Sequence, residues 1–176
     1  MGIFNIRVED LSIMAGNLES HEDGLSIRKA VVDDAEVLSQ IICEHAYTIL
    51  KPHYSEEHWN VFLKYYSPKV MAGKIERQMI YCAIEENTVV GCIGLDQDFV
   101  AGFYTRLNKR NQGIGKLLMN HIEMRARTNG WRALQLAASP EGLGFYYKNG
   151  WEKVRDIEID HYGVQFYETL MLKNII

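Results

Sequence analysis

The stretch Arg110-Asn111-Gln112-Gly113-Ile114-Gly115-Lys116 follows an apolar run, Phe99 to Thr105, and leads into a segment with Ile114, Leu117, Leu118, His121 and Ile122 on one helical face. It reads as the turn from a strand into a helix. Gly113 and Gly115 let the backbone approach a ligand closely, and the first turn of a helix offers unpaired N–H groups at the positive end of its dipole. Arg106, Lys109, Arg110 and Lys116 add four positive charges, and no acid lies between Phe99 and Asn120. In a chain of formal net charge −4 this concentration suggests an anion site, with a diphosphate as the best-fitting ligand. A surface turn with solvated basic residues would look the same locally, so both readings stay open at this point. Two better-known phosphate loops are excluded. The dinucleotide fingerprint needs a third glycine where Leu118 stands, and the nucleotide-triphosphate loop needs Ser or Thr at Leu117 and glycine at Arg110.

Working outward, Leu25 to Val31 alternates as a half-buried strand, and Asp33 with Glu36 predicts a helix start. Ala35, Leu38, Ile42, Ala46 and Ile49 continue that helix to Pro52. Ser55 with Glu56 and Glu57 opens a second helix carrying Trp59, Phe62 and Tyr66, and Ser67-Pro68 a third. Strands around Tyr81 and Val90 are joined by Glu86-Asn87 as a hairpin. Beyond the long helix come a buried strand, Ala133 to Ser139, a short helix opened by Ser139-Pro140-Glu141 and closed by Gly150, and two final strands. The expected fold class is α/β, with a mixed, mostly antiparallel sheet of about seven strands, one parallel pair, and four to five helices. Residues 25–176 form the domain. Residues 1–24 read as an N-terminal extension, with a short strand from Ile3 to Val8.

Composition bounds the function. The chain has 176 residues, 19 basic against 23 acidic, and 47% hydrophobic, enough for one domain with a true core and the wrong balance for a non-specific nucleic-acid binder. Cys43, Cys82 and Cys92 are odd in number and lack C-x-x-C spacing, so no disulfide framework or zinc knuckle is expected. The six histidines show no metal spacing, and no metal is expected. No run approaches the roughly 20 apolar residues of a membrane span, and Arg7, Glu9 and Asp10 interrupt any signal peptide. A cytoplasmic protein without nucleic-acid or membrane partners is the expectation.

Arg110-Asn111-Gln112-Gly113-Ile114-Gly115 resembles the R/Q-x-x-G-x-G/A signature of the GNAT superfamily of acyl-CoA-dependent N-acetyltransferases. Phe145-Tyr146-Tyr147-Lys148-Asn149-Gly150-Trp151 is similar to that family's F-Y-x-K-x-G-F ending of its last helix, and the order of elements from Leu25 to Lys173 follows the family's. The resemblance implies a GNAT-like fold whose sheet splays at the parallel pair to admit acetyl-CoA as cosubstrate. It assigns the pyrophosphate to Arg110, Gln112, Gly113, Ile114, Gly115 and Lys116, and the pantetheine arm to the strand end Phe103, Tyr104 and Thr105. Ser139 stands where many members carry a pantetheine-binding Asn, although a helix N-cap explains it equally well. Protonation of the departing thiol falls to Tyr146. Its neighbour Tyr147 points about 100° away, toward the opposite wall or the core.

The reaction can be stated on chemical grounds. An alkyl ammonium of pKa about 10.4 must lose a proton before it attacks, and a thiolate of pKa about 8.5 must be stabilised as it leaves. No covalent enzyme intermediate is needed if amine and thioester are aligned. No glutamate lies in the strand Phe99–Leu107 to act as base, which leaves Asp96, Asp98, a water chain or an already neutral amine. His53 and Tyr54, between the first two helices, are the acceptor-side candidates, and His45 reads as a partly buried helix residue. A small-molecule amine is favoured as acceptor. The alternatives are a protein lysine or N-terminus, or a non-catalytic acyl-CoA-binding module. Family habit makes a homodimer an admissible assembly.

Overall fold

The computed structural model describes residues 19–20 and 24–176, so the expected strand from Ile3 to Val8 lies outside the described residues. A two-residue strand β1 (Glu19–Ser20) pairs antiparallel with β2 (Leu25–Lys29), in which Leu25 and Ile27 are buried as their alternation predicts. The first long helix, α1 (Ala35–Ile49), is preceded by a single tight turn, Val32–Asp34. Asp34, rather than Asp33, organises that turn. Its carboxylate accepts from the Val31 N–H at 2.8 Å and from the Arg28 guanidinium at 2.6 and 2.8 Å. Burial raises this carboxyl, but the Arg28 and Val31 hydrogen bonds outweigh burial and hold it below the usual carboxylate range. α2 (Glu56–Tyr65) begins at Ser55, whose hydroxyl accepts the His58 N–H, and α3 (Pro68–Arg77) begins at its proline.

β3 (Met79–Glu85) and β4 (Thr88–Asp96) form the expected hairpin, with Glu86 and Asn87 at φ 47° and 62° as a tight hairpin turn requires. β5 (Phe99–Thr105) pairs antiparallel with β4 and leads to α4 (Ile114–Thr128). β6 (Ala133–Ala138), a short α5 (Leu143–Lys148), β7 (Glu152–His161) and β8 (Val164–Asn174) complete the chain. The sheet order is β1-β2-β3-β4-β5-β6-β8-β7, so the last strand inserts between β6 and β7. Among the described residues there are thus seven longer strands plus the β1 pair, and five α-helices. None of these helices is long and apolar enough to cross a membrane.

Two apolar layers cover the sheet. One holds Ile114, Leu118, Met119 and Ile122 of α4 with Leu134 and Leu136 of β6 and Trp151. The other holds Leu38, Ile41 and Ile42 of α1, Trp59 and Phe62 of α2, and Met71 and Ile75 of α3. Each fully buried aliphatic side chain contributes roughly 1.5–3 kcal/mol relative to exposure. Cys82 and Cys92 sit opposite one another on β3 and β4 as free, buried thiols, their pKa values pushed up by burial.

The sole parallel contact among the described strands is Phe99 against Gln135, between β5 and β6. It is clamped by Asp98, whose carbonyl accepts the Gln135 N–H at 2.9 Å and whose carboxylate accepts the Gln135 side-chain amide at 3.0 Å. Beyond the clamp β6 stays with β8 and β5 stays with β4. The β4–β5 ladder is bulged between Cys92 and Gly94, and Gly102 takes φ +60°, which turns β5 away. The sheet therefore opens toward the C-terminal ends of the parallel pair.

Candidate active site

The segment after β5 delivers the glycine turn to the open end of the splay. Gly113 has φ +83°, in the left-handed region, with nothing within 4 Å of where a Cβ would stand. The N–H groups of Ile114, Gly115 and Lys116 head α4, since the first intrahelical bond runs from the Leu117 N–H to the Gly113 carbonyl at 2.9 Å. The Ile114 side chain is buried in the core, so only its backbone reaches the turn. A Cβ at Gly115 would lie 3.2 Å from the Phe103 ring and 3.4 Å from that of Phe145. The glycine thus lets the head of α4 sit directly on both rings.

The four basic residues divide into two pairs. Arg106 donates through Nε to the Val89 carbonyl at 2.8 Å, and Lys109 is ion-paired to Glu85. Arg110 and Lys116 are exposed and have no ion-pair partner among the described residues. Gln112 is exposed, and its amide donates to the Asn108 carbonyl at 3.2 Å. Two of the four charges therefore brace the loop, leaving two for an anion.

Across the splay, the short α5 presents Tyr146. The Asn149 side chain donates to the Phe145 carbonyl at 2.8 Å, Gly150 takes φ +80°, and the Trp151 N–H donates to the Tyr146 carbonyl at 3.1 Å. Trp151 is buried, so this cap is anchored in the core and fixes the helix rotation. The Tyr146 ring then packs edge-on to Trp151, with centroids 6.0 Å apart, and beside Phe103 and Phe145. Burial lifts its hydroxyl above the ordinary phenol range, and the charge of Glu168 adds to this. Tyr147 is half exposed and occupies neither the opposite wall nor the core. Ser139 follows β6 in an extended conformation, and its hydroxyl makes no capping hydrogen bond.

Phe103, Tyr104 and Thr105 alternate across β5. Phe103 packs on Phe145 at 5.3 Å, while Tyr104 turns to the α1–α3 side against His45 and Tyr66, at 5.6 and 5.7 Å. The Thr105 carbonyl accepts from His45 Nδ1 at 2.9 Å. Asp96 accepts from the Gln78 amide, and Asp98 forms the clamp at the closed end of the splay.

Residues 51–59 fold down over β8. His58 Nε2 donates to the Gln165 carbonyl at 3.0 Å, and the Tyr54 ring stands edge-on to Phe166 at 5.5 Å. His53 and Tyr54 are not brought to a common point. The His53 side chain is largely exposed, with Nε2 3.8 Å from Glu141, while Tyr54 is turned inward.

A residue that sequence reasoning missed lies beneath this segment. Glu168 shares its register on β8 with Val164 and Phe166, both buried, so a carboxylate occupies the apolar row of an alternating strand. That break in the pattern is the signal that could have found it. Glu168 lines an open cavity of about 600 Å³ with Pro140, Asp156 and Thr169, and burial lifts its carboxyl to about 7.

A profile of the family described as an acetyltransferase (GNAT) domain matches residues 50–171. The fold is similar to that of a GCN5-related N-acetyltransferase from Rhodopseudomonas palustris, at 20% identity over 89% of this chain and 99% of that one, with a TM-score of 0.79. It is also similar to PaiA N-acetyltransferase from Thermoplasma acidophilum in complex with coenzyme A, at 22% identity, 85% and 98% coverage, and a TM-score of 0.71. Apo YjaB from Escherichia coli matches at 19% identity, 84% and 96% coverage, and a TM-score of 0.68. No curated protein sequence matches at a significant level. With more than half of its length matched by the family profile, the chain belongs to the GNAT acetyltransferase family.

Proposed function

We propose that this protein is an N-acetyltransferase that moves the acetyl group of acetyl-CoA to a primary amine by direct attack, with a small molecule as acceptor. The observation that carries the reading is the meeting, at the open end of one splay, of an unblocked helix N-terminus and an inward-held phenol. Coenzyme A fits the residues present. Arg110 and Lys116 would hold the diphosphate against the N–H groups of Ile114, Gly115 and Lys116, with Gln112 at the rim and Gly113 allowing the approach. The edge of β5 from Phe103 to Thr105, turned away from β6, would pair with the pantetheine amides, and the Ser139 hydroxyl stands at the opposite strand end. Bound there, acetyl-CoA supplies an activated acyl thioester.

Tyr146 would donate its proton to the departing sulfur. Burial keeps the phenol protonated throughout the working pH range, so the proton is available when negative charge develops on sulfur. Phe103, Phe145 and Trp151 hold the ring and exclude water around it.

The closure of residues 51–59 over β8 supports a small acceptor, because an extended peptide would need that side open. Incubation with acetyl-CoA and a panel of small primary amines, beside unstructured lysine-bearing peptides, tests this by release of free thiol. Turnover of at least one small amine, exceeding every peptide by an order of magnitude or more in kcat/KM, is expected. Peptides accepted as well as the best small amine would overturn the small-molecule assignment.

A further inference from the structure

The half-buried cations Arg28, Lys51, Lys109 and Lys173 each meet a carboxylate, those of Asp34, Glu56, Glu85 and Glu123. Lys74, near the end of α3, meets none among the described residues. Its helix neighbour Arg77 serves the negative end of the α3 dipole from solvent. Lys74 instead turns inward, with Nζ 3.4 Å from the centroid of the Tyr65 ring and 4.3 Å from that of Tyr66. Burial, with the charge of Arg77 adding to it, lowers its ammonium to about 7. The ring faces offset part of that cost, yet an ammonium has three N–H donors and the faces offer them no oxygen.

The space in front of Lys74 leads toward the transfer site. A narrow recess of about 20 Å³ is bordered by Tyr65, Tyr66, Lys74, Gln78, Ala101 and Gly102. It has room for a group little larger than one water. Gly102 takes φ +60° and has nothing within 4 Å of where a Cβ would stand, so β5 is open at this point. The next residues, Phe103 to Thr105, form the edge read above as pantetheine-binding. With the diphosphate at the head of α4, the thioester end of the coenzyme would lie toward Gly102. Asp96, at the end of β4, accepts from the Gln78 amide at 3.1 Å instead of pairing with Lys74.

Resting on the transfer reading above, we propose that the acceptor is a primary amine that also carries a carboxylate, and that Lys74 binds this carboxylate while the amine reaches the thioester beside β5. One cation in so small a recess suits one planar monoanion. A tetrahedral phosphate is bulkier and calls for more donors than one ammonium supplies. The arriving charge favours the ammonium form of Lys74, so above pH 7 the carboxylate binds with uptake of a proton. Other titratable groups face this region. They are Arg77 on α3 itself, Cys92 and Asp96 of β4, Tyr104 of β5, which is hydrogen-bonded to Tyr66, and Glu168 of β8. His161 of β7, 4.4 Å from the Tyr65 ring, is lowered by burial and by the charge of Lys74.

The test compares glycine, β-alanine and γ-aminobutyrate with their carboxamides as acceptors for the full chain, and adds O-phosphoethanolamine as a phosphate arm. At least one amino acid should exceed its carboxamide in kcat/KM by about 30-fold, as a carboxylate on a desolvated cation implies. Lys74→Met keeps the length and packing of the side chain without its charge. It should bring that ratio near unity by raising KM for the amino acid, and Lys74→Arg should restore part of it. The change in ratio between proteins does not depend on amine basicity. A readout independent of turnover is NMR of wild type labelled at the lysine side chains, with and without coenzyme A. One resonance, missing from Lys74→Met, should titrate near 7 and move to higher pH with a saturating amino acid but not with its carboxamide. Equal use of amino acids and carboxamides, a preference that survives in Lys74→Met, or a Lys74 titration that no amino acid moves overturns the proposal. So does a Lys74-dependent preference for the phosphate over every carboxylate. If wild type acetylates no amine, the transfer reading fails, and the NMR titration with the three amino acids still decides whether Lys74 takes a carboxylate.

Discussion

Tyr146→Phe is expected to lower kcat about 100-fold and to leave the dissociation constant of acetyl-CoA nearly unchanged. The size follows from the role: a positioned general acid contributes roughly 100- to 10,000-fold, and a thiolate of pKa about 8.5 is a tolerable leaving group without help, which places the loss near the lower end. The selectivity follows from the packing. Phenylalanine keeps the ring contacts with Trp151, Phe103 and Phe145, so neither the cap of α5 nor the core beneath it changes. Only the hydroxyl is lost. Tyr147→Phe is the paired control, because that side chain is half exposed and its hydroxyl has no inward role. Steady-state kinetics and calorimetric binding on the two variants check this. Equal turnover in Tyr146→Phe and wild type, or a larger loss in Tyr147→Phe, would remove Tyr146 from the chemistry.

Gly113→Val and Gly115→Val should each abolish the thermal stabilisation that acetyl-CoA confers, for different physical reasons. Ligand at about 100 times its dissociation constant adds roughly 2.7 kcal/mol, which for a domain of this size is a rise of about 5–10 °C in Tm. At Gly113 the obstacle is the backbone, since φ +83° is strained for a β-branched residue and the turn must reshape. At Gly115 the obstacle is contact, because the new side chain must displace the rings of Phe103 and Phe145. Both costs are of order 1–3 kcal/mol, enough to disorder a ligand site but short of unfolding a typical domain. Thermal scans with and without acetyl-CoA should show folded variants with little or no shift. A full wild-type shift in both would mean that the coenzyme does not use this turn.

Much of this architecture is legible locally. The hairpin at Glu86-Asn87, the proline-started α3 and the glycine-closed α5 each depend on residues within a few positions of one another, where backbone sterics decide. The turn at Gly113 and the inward choice of Tyr146 over Tyr147 belong to the same class. The insertion of β8 between β6 and β7 is not local, nor is the bracing of the loop by Glu85 and the Val89 carbonyl, which come from β3 and β4. Counting charges along the chain therefore overstates by two the basic side chains that the loop leaves unpaired. The N-cap at Asp33 fails for a smaller reason: Asp34, one residue on, is the one that Arg28 can reach across from β2.

Glu168 marks the limit most clearly. Nothing adjacent to it in sequence announces its partial burial, and a glutamate in a C-terminal strand ordinarily faces water. That burial arises only from tertiary packing, as the 51–59 segment folds down over β8 and sets Tyr54 edge-on to Phe166. What the sequence does carry is a break in alternation, a charge in the row of Val164 and Phe166.

The most direct test of the account follows the acetyl group itself. Wild-type protein would be mixed with acetyl-CoA labelled in the acetyl carbons and with the best amine of the panel, while free thiol and label are tracked together. Direct transfer predicts one thiol released for each labelled amide formed, with no label retained on the protein at any time. Label accumulating covalently on the protein before it reaches the amine would contradict direct attack, and thiol release without a labelled amide would contradict amine acetylation altogether.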